Sequence, residues 1–238
     1  MGKSVKIDYN KTLMDGSHTH TVIYKYLDRI RYKEALQIQQ RACENIKSPK
    51  SETSGYLYLL EHYPVITNGR FGSDDNYVLP VEKIEELGVE VHNTERGGEL
   101  TFHGPGQLVS YPIINLRAFN LGVKSYITLL EQVIINLLSE FGIESDRRDG
   151  YPGVWTQGQK IASIGVAVKN GITMHGSALN VSTDLDSFSL IVPCGISDVR
   201  VTSMEKELGS EVPMDGVVTS FIKHFKTVYN IGDLALSS

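Results

Sequence analysis

Residues 160–181 read KIASIGVAVKNGITMHGSALNV, and this stretch predicts two antiparallel β-strands joined by a tight turn. Residues 160–168 and 172–181 are runs of apolar, small and β-branched residues, as strands require. Between them, the Asn170-Gly171 step favours a two-residue hairpin turn, because both residue types accept positive φ angles. The stretch therefore predicts a sheet with antiparallel pairing.

Helical and strand patterns on both sides of the hairpin extend this prediction. Apolar residues at helical spacing predict helices at residues 27–46, 83–87, 124–141 and 215–229. Short apolar runs predict strands at residues 56–60, 65–67, 89–92, 100–103 and 107–116. We expect a polar N-terminal arm at residues 1–27, and then one α+β domain at residues 28–238 with a mixed, mainly antiparallel sheet and flanking helices.

The composition is that of an ordinary globular chain. Of 238 residues, 41% are hydrophobic and 21% charged, and the net charge of −5 gives no overall basic surface for nucleic acid. No apolar run approaches the length of a membrane span. Cys43 and Cys194 lack the paired spacing of a disulfide framework. We therefore expect a cytoplasmic protein with reduced thiols, in which Cys43 packs within a helix.

Cys194 lies between Pro193 and Gly195, after the apolar residues 190–192. Proline fixes φ and glycine permits unusual backbone angles, so this segment is shaped to present a side chain. A thiol attacks only as the thiolate, which a nearby ammonium group would favour by lowering the thiol pKa. The alternative is that Cys194 is a small buried hydrophobe, which is the usual place of a lone cysteine.

Lys160 opens the predicted hairpin, and the small residues Ala162, Ser163 and Gly165 follow it. On pattern alone, a lysine at this place is best interpreted as a solvated strand end. The small residues, however, leave room for a ligand beside the sheet. In the second strand, Gly176 follows His175, and a glycine inside a strand often marks the close approach of a backbone or a ligand.

Residues 96–106 read RGGELTFHGPG and form the densest group of glycines beside charged and imidazole side chains. Arg96 offers a planar fork for carboxylate or phosphate, and His103 could act as an acid, a base or a donor. The pattern alone leaves a structural glycine turn and a binding loop equally open. His18 and His20 have no third convincing ligand for a metal, and we expect them on an exposed arm.

These segments, in order and at their spacing, resemble the lipoyl(octanoyl) transferase family. The resemblance runs from about residue 57 to residue 208. It is carried by LEH at 60–62, TNGR at 67–70, RGG at 96–98, TFHGPGQL at 101–108, YP at 111–112, YPGVW at 151–155, KIASIG at 160–165, HGSALNV at 175–181 and PCG at 193–195. Any one of these motifs is weak, whereas the ordered set is specific.

The resemblance implies a catalytic domain of the biotin and lipoate protein ligase type. It also implies transfer of an octanoyl or lipoyl group from acyl carrier protein to a lysine of a lipoyl-carrying domain, the first step of protein lipoylation. The acceptors would be lipoyl domains of 2-oxoacid dehydrogenase complexes or the glycine cleavage H protein. The enzyme would be a monomer without metal or cofactor.

In this reading Cys194 is the nucleophile that carries the acyl group as a thioester, and Lys160 activates it. The resemblance places the acyl-binding residues in three segments. They are Arg96, Gly97, Gly98, Glu99, Leu100, Thr101, Phe102 and His103; Ser163, Ile164 and Gly165; and Gly176, Ser177 and Ala178.

Two other functions remain open on the sequence. An ATP-dependent lipoate or biotin ligase would share the fold, but it activates a free acid as an adenylate and needs no cysteine nucleophile. A non-catalytic acyl-binding protein could also retain the fold. The pairing of Cys194 with Lys160 favours the transferase.

Overall fold

The computed structural model of the protein describes residues 20–51, 53–192 and 200–236. The strands are β1 (His20–Ile30), β2 (Gly55–His62), β3 (Val65–Asn68), β4 (Glu90–Asn93), β5 (Leu100–His103), β6 (Gln107–Ile114), β7 (Asp146–Arg148), β8 (Tyr151–Thr156), β9 (Gln159–Lys169), β10 (Ile172–Asn180) and β11 (Ile231–Leu236). The helices are α1 (Tyr32–Lys47), α2 (Val81–Glu86), α3 (Val123–Glu140), α4 (Met204–Leu208) and α5 (Met214–Val228), with 3-10 turns at Asp74–Asn76 and Leu185–Leu190.

The strands form two sheets. The larger sheet has eight strands in the order β11-β1-β2-β6-β10-β9-β8-β7, and the smaller has the order β4-β3-β5. Within the larger sheet β1 runs parallel to both β11 and β2, whereas the pairs from β2 to β7 are antiparallel. The predicted α+β fold with a mixed, mainly antiparallel sheet and flanking helices is therefore confirmed.

The β9–β10 hairpin has the geometry that its sequence predicts. Lys169 pairs with Ile172, and the two residues between them have positive φ angles, 56° at Asn170 and 82° at Gly171. Positive φ at both central positions defines a type I′ turn, whose twist matches that of the flanking strands. This turn fixes the register of the two strands that carry Lys160 and His175.

Helices cover both faces of the larger sheet. On one face α3 and α5 pack together, and Leu130, Val133 and Phe225 are among the fully buried side chains of the main core. On the other face α1 packs against β2, β6 and β10 through the stripe that includes Ala35 and Ala42. Each large apolar side chain buried in this way contributes about 1.5–3 kcal/mol.

The N-terminal boundary differs from the sequence-based expectation. Residues 20–27 were expected in a polar arm, but they belong to β1, which pairs with β2 and β11. The first helix accordingly begins at Tyr32 and not at residue 27. Val22 alternates with more exposed neighbours and is fully buried, a strand pattern that the polar flanking residues hide. His18 lies outside the described residues.

The small sheet also separates two strands that are neighbours in the sequence. Residues 56–60 form part of β2 in the larger sheet, whereas residues 65–67 form part of β3 in the smaller one. The chain therefore crosses between sheets at Tyr63 and Pro64, and the smaller sheet lies beside the face that carries Ser163 and Ala178. Across residues 20–51, 53–192 and 200–236, every helix falls short of the length and apolarity that a membrane span needs.

Candidate active site

A narrow central cavity of about 70 Å³ lies between the two sheets. It is lined by Tyr32, Thr67, Arg96, Gly98, Glu99, Thr101, His103, Val109, Tyr111, Lys160, Ser163, Ile164, Gly165, His175, Gly176, Ser177, Ala178, Phe188 and Val201. All three segments that the sequence singled out for acyl binding therefore contribute to one cavity, together with Lys160.

Small residues leave the space above the larger sheet. Ala178 pairs with Val109 of β6 and with Ser163 of β9, so these side chains share one face of the sheet. Gly176 pairs with Gly165 on the same face, two residues further along. A β-carbon at Gly176 would overlap the Ser110 carbonyl oxygen, so only glycine fits there. The result is a floor without bulky side chains.

Arg96 holds the loop that covers this floor. Its buried guanidinium donates to the Thr67 carbonyl oxygen at 2.5 Å and to the Glu99 carbonyl oxygen at 2.7 Å. The Gly97 N–H donates to the Val166 carbonyl oxygen at 2.9 Å, which ties the loop to β9. The sequence suggested that this guanidinium binds an anionic ligand. In the structure it instead donates hydrogen bonds to the loop and to β3.

Lys160 lies at one end of the cavity and is buried, with 8% of its surface exposed. Its Nζ is 5.5 Å from the centroid of the Trp155 ring. Gly153, on the same neighbouring strand, leaves the space for the lysine stem, because a β-carbon there would meet Lys160 Cε at 2.6 Å. The interpretation of Lys160 as a solvated strand end is therefore wrong.

The backbone of Lys160 is tied to the chain that follows Cys194. The Lys160 N–H donates to the Arg200 carbonyl oxygen at 2.8 Å, and the Thr202 N–H donates to the Lys160 carbonyl oxygen at 3.0 Å. Val201 forms the parallel bridge between these bonds and lines the cavity. Residues 200–202, which follow Cys194 in the sequence, are thus fixed against the lysine.

The chain that precedes Cys194 is anchored at Val192. The Val192 N–H donates to the Asn76 carbonyl oxygen at 2.8 Å, and Asn76 Nδ2 donates to Glu99 Oε2 at 3.0 Å. Cys194 itself lies outside the described residues, two positions after Val192. Its predicted role as nucleophile therefore stays a prediction.

A row of buried, hydrogen-bonded side chains connects His103, which lines the cavity, to Thr202. His103 Nδ1 donates to Gln107 Oε1 at 2.7 Å, and Gln107 Nε2 donates to Asn180 Oδ1 at 2.9 Å. Asn180 Nδ2 in turn donates to the Thr202 carbonyl oxygen at 2.9 Å. Because Thr202 pairs with Lys160, these hydrogen bonds fix β9, β10 and residues 200–202 relative to one another.

Replacing Asn180 with leucine is expected to lower the free energy of unfolding by about 2–3 kcal/mol, because Gln107 and the Thr202 carbonyl would each lose a buried partner. Urea denaturation measures this change. The same substitution at Asn45, whose amide meets Tyr56 at the surface, should cost about 0.5 kcal/mol or less. Equal losses in the two variants would contradict a structural role for this row of side chains.

Two buried imidazoles, His103 and His175, line the cavity, and a third, His62, packs against His103. Burial, together with the neighbouring His62, lowers the pKa of His103 to about 3. Burial likewise lowers the pKa of His62 to about 4 and, with the Arg96 charge, that of His175 to about 4. At neutral pH these rings are therefore uncharged, which suits a cavity for an apolar group.

The structure places most, but not all, of the predicted acyl-binding residues at the cavity. The cavity is lined by every member except Gly97, Leu100 and Phe102. Leu100 and Phe102 alternate with Thr101 and His103 along β5, so they face away and pack in a separate apolar cluster. Ser177 reaches the cavity while its hydroxyl lies 2.6 Å from the Ser110 hydroxyl.

Seven lining residues were not in the predicted set: Tyr32, Thr67, Val109, Tyr111, His175, Phe188 and Val201. His175 and Tyr111 lie within motifs that the sequence marked. Val109 is two residues before Tyr111, so alternation along β6 places both side chains on one face. Tyr32, Phe188 and Val201 carry no local signal, because they reach the cavity only through tertiary packing.

Within the described ranges, no three histidine, cysteine, aspartate or glutamate side chains are grouped to hold a metal ion. His20 stacks on Phe119, with 4.0 Å between ring centroids. Cys43 is buried in α1, as its place beside the apolar stripe predicts.

Comparison with known proteins agrees with this geometry. A family model described as the lipoyl protein ligase A/B catalytic domain matches residues 31–226. An octanoyltransferase from Caldicellulosiruptor saccharolyticus is 47% identical over 206 residues, which cover 86% of this chain and 87% of the relative.

Solved structures show the same fold at low sequence identity. A chain from the structure of a bipartite lipoate protein ligase and its E2 lipoyl domain, from Thermoplasma acidophilum, has a TM-score of 0.71 and 16% identity, and the match covers 92% of this chain and 87% of that one. A biotin protein ligase from Aquifex aeolicus, in complex with biotin and ATP, has a TM-score of 0.54 and 14% identity, with coverage of 87% and 70%. The predicted ligase-type fold is thereby confirmed.

Proposed function

The chain belongs to the lipoyl protein ligase A/B catalytic domain family, and we propose that it is an octanoyltransferase that works through a covalent Cys194 thioester. The observation that carries this proposal is the position of Lys160. It is buried at one end of the cavity, and its backbone is tied to the segment that leads from Cys194. A buried ammonium group beside that segment is the arrangement that favours a thiolate.

The first half-reaction loads the enzyme. The Cys194 thiolate attacks the carbonyl carbon of the donor thioester, a new C–S bond forms, and the bond to the donor sulfur breaks. Lys160 gives a proton to the departing thiolate, so that the donor leaves as a thiol. Exchange of one thioester for another leaves the acyl group in a bond of similar energy.

The second half-reaction transfers the acyl group. A lysine amine of the acceptor attacks the Cys194 thioester, an amide forms, and the cysteine sulfur leaves. Lys160, neutral after the first step, accepts the proton that the amine must lose. The small-residue floor and the uncharged imidazoles hold the chain meanwhile, and each CH₂ group that they bury contributes about 0.8 kcal/mol.

We propose acyl carrier protein as the donor, and lipoyl domains of 2-oxoacid dehydrogenase complexes or the glycine cleavage H protein as acceptors, with the enzyme acting as a monomer. The name of the Caldicellulosiruptor relative supports octanoyl transfer, and the lipoyl domain in the Thermoplasma structure supports the acceptor class. A reactive Cys194 thiol also fits the reducing cytoplasm, where disulfides rarely persist.

The decisive experiment omits ATP. Purified enzyme is mixed with octanoyl-acyl carrier protein, and its intact mass is measured before and after a lipoyl domain is added. We expect one octanoyl adduct on the wild type, which disappears as the lipoyl domain gains the same mass.

Two cysteine variants locate the adduct. Cys43→Ser should load normally, because Cys43 lies in α1, outside the central cavity. Cys194→Ser should show no adduct that hydroxylamine removes. A strict requirement for ATP would instead establish the ligase reaction, and an adduct without transfer would leave an acyl-binding protein.

A further inference from the structure

Two residues separate the central cavity from a second, larger space. An outer groove of about 410 Å³ lies beyond the end of the central cavity, between α1 and the β9–β10 hairpin, and is lined partly by Leu36, Cys43 and Met174. Tyr32 and His175 line both spaces. They are the wall between the central cavity and the outer groove.

This wall lies at the far end of the central cavity from Lys160. His175 pairs with Val166 across the hairpin, six residues along β9 from Lys160. The lysine stem runs along the sheet toward the wall, because Lys160 Nζ lies 3.4 Å from the place of a β-carbon at Gly153, and Gly153 pairs with Ser163. Ser163 is three residues from Val166, so the amine lies about 10 Å from the wall at about 3.3 Å per residue. An extended eight-carbon chain has seven C–C bonds, and because the chain zigzags each bond of about 1.5 Å advances it by only about 1.3 Å, so the chain spans about 9 Å. With its carbonyl carbon beside the lysine amine, such a chain ends near the wall.

Both residues of the wall are held from several sides. Tyr32 is 3% exposed, and its ring stacks on His92 at 5.3 Å between centroids. The His175 N–H donates to Gln39 Oε1 at 2.7 Å, and its ring meets Tyr111 edge-on. A φ angle of 59° at His175 turns the strand at this point. The wall is therefore a fixed feature of the packed fold.

We propose that Tyr32 and His175 determine acyl chain length by closing the central cavity behind the eighth carbon. The inference rests on the proposed function, because it assigns the cavity to an acyl chain. A longer chain would have to displace well-packed side chains, which cores resist. Removal of either residue would join the cavity to the outer groove. The lining of this groove is mostly polar, but Leu36, Cys43 and Met174 offer apolar surface to further CH₂ groups.

The test uses His175→Gly and Tyr32→Ala. Glycine adopts positive φ without strain, so His175→Gly opens the wall and keeps the backbone. Each enzyme is given equal amounts of octanoyl-, decanoyl- and dodecanoyl-acyl carrier protein, and the products on a lipoyl domain are counted by mass. We expect the dodecanoyl-to-octanoyl ratio to rise about tenfold or more, since each newly buried CH₂ is worth about a fourfold gain.

Two matched variants keep the test specific. Tyr32→Phe retains the ring, and Leu36→Ala enlarges the outer groove without touching the wall, so both should keep the wild-type ratio. An unchanged ratio in folded His175→Gly and Tyr32→Ala would overturn the proposal. Should Tyr32→Ala fail to fold, as circular dichroism would show, His175→Gly and His175→Asn decide the matter.

A binding measurement separates this inference from the proposed function. Calorimetry with free octanoate, decanoate and dodecanoate reports chain-length preference without any transfer. A wild type that transfers nothing would refute the proposed function. A variant that still shifts its preference toward dodecanoate would support the wall, and a variant that does not would refute it.

Discussion

Lys160→Met is expected to lower kcat/KM for octanoyl transfer by about a thousandfold, within the range that proton transfer by a positioned group supplies. Methionine keeps most of the buried stem beside Trp155 and Gly153, so the fold should survive while the ammonium is lost. In the proposed mechanism, the variant loses both the charge that favours the Cys194 thiolate and the group that moves protons in each half-reaction.

The pH dependence of thiol alkylation distinguishes these two losses. Iodoacetamide labelling of Cys194, followed by mass spectrometry, should show its midpoint at higher pH in Lys160→Met than in the wild type, because an ammonium neighbour lowers a thiol pKa. Lys169→Met, at the exposed end of the same strand, should change neither quantity. A Lys160→Met enzyme with wild-type transfer and labelling would remove Lys160 from the mechanism.

Acidification from pH 7 to pH 5 is expected to lower the free energy of unfolding by about 5 kcal/mol. His62, His103 and His175 have pKa values of about 4, 3 and 4 in the folded protein, because burial penalises the charged rings. In the unfolded chain they titrate near 6.5. Between these values the unfolded state binds more protons than the folded one, so stability falls as the pH drops below about 6.5.

Urea denaturation at the two pH values measures this loss. Each histidine contributes nearly 2 kcal/mol over the interval, at about 1.36 kcal/mol per pH unit below the unfolded pKa. His175→Asn keeps a residue type that accepts positive φ and removes one of the three groups, so its loss should be smaller by about a third. A midpoint that does not move between pH 7 and pH 5 would show that the imidazoles charge within the fold.

Local sequence signals predicted the parts of the fold that depend on local geometry. The Asn170-Gly171 turn set the register of β9 and β10, and helical spacing identified α3 and α5. Parallel strands gave weaker signals. β1 pairs with β2 and β11, which lie far from it in the sequence, so no tight turn between the strands predicts the pairing.

In the candidate site, too, local sequence predicted some features and missed those that depend on distant residues. Small residues at Ser163, Gly165 and Gly176 marked the cavity floor, because the space they leave is a property of the residues themselves. The side chain of Lys160 is buried beside Trp155 and Gly153, and its backbone pairs with residues 200–202, forty positions later. These are tertiary contacts, so its strand pattern alone indicated solvent. Leu100 and Phe102 entered the predicted set because their motif was taken whole, although alternation along β5 separates its two faces.

The anchors at Val192 and Arg200 have an entropic consequence. Both are held by backbone hydrogen bonds at 2.8 Å, so Val192 and Arg200 keep a fixed separation while the fold persists. In the proposed mechanism, most of the entropy of bringing the Cys194 thiol near the Lys160 amine is then lost once, during folding, and not again in each turnover. Loop-closure entropy depends only weakly on length. A residue inserted between the two anchors should therefore change the local concentration of the thiol far less than release of either anchor.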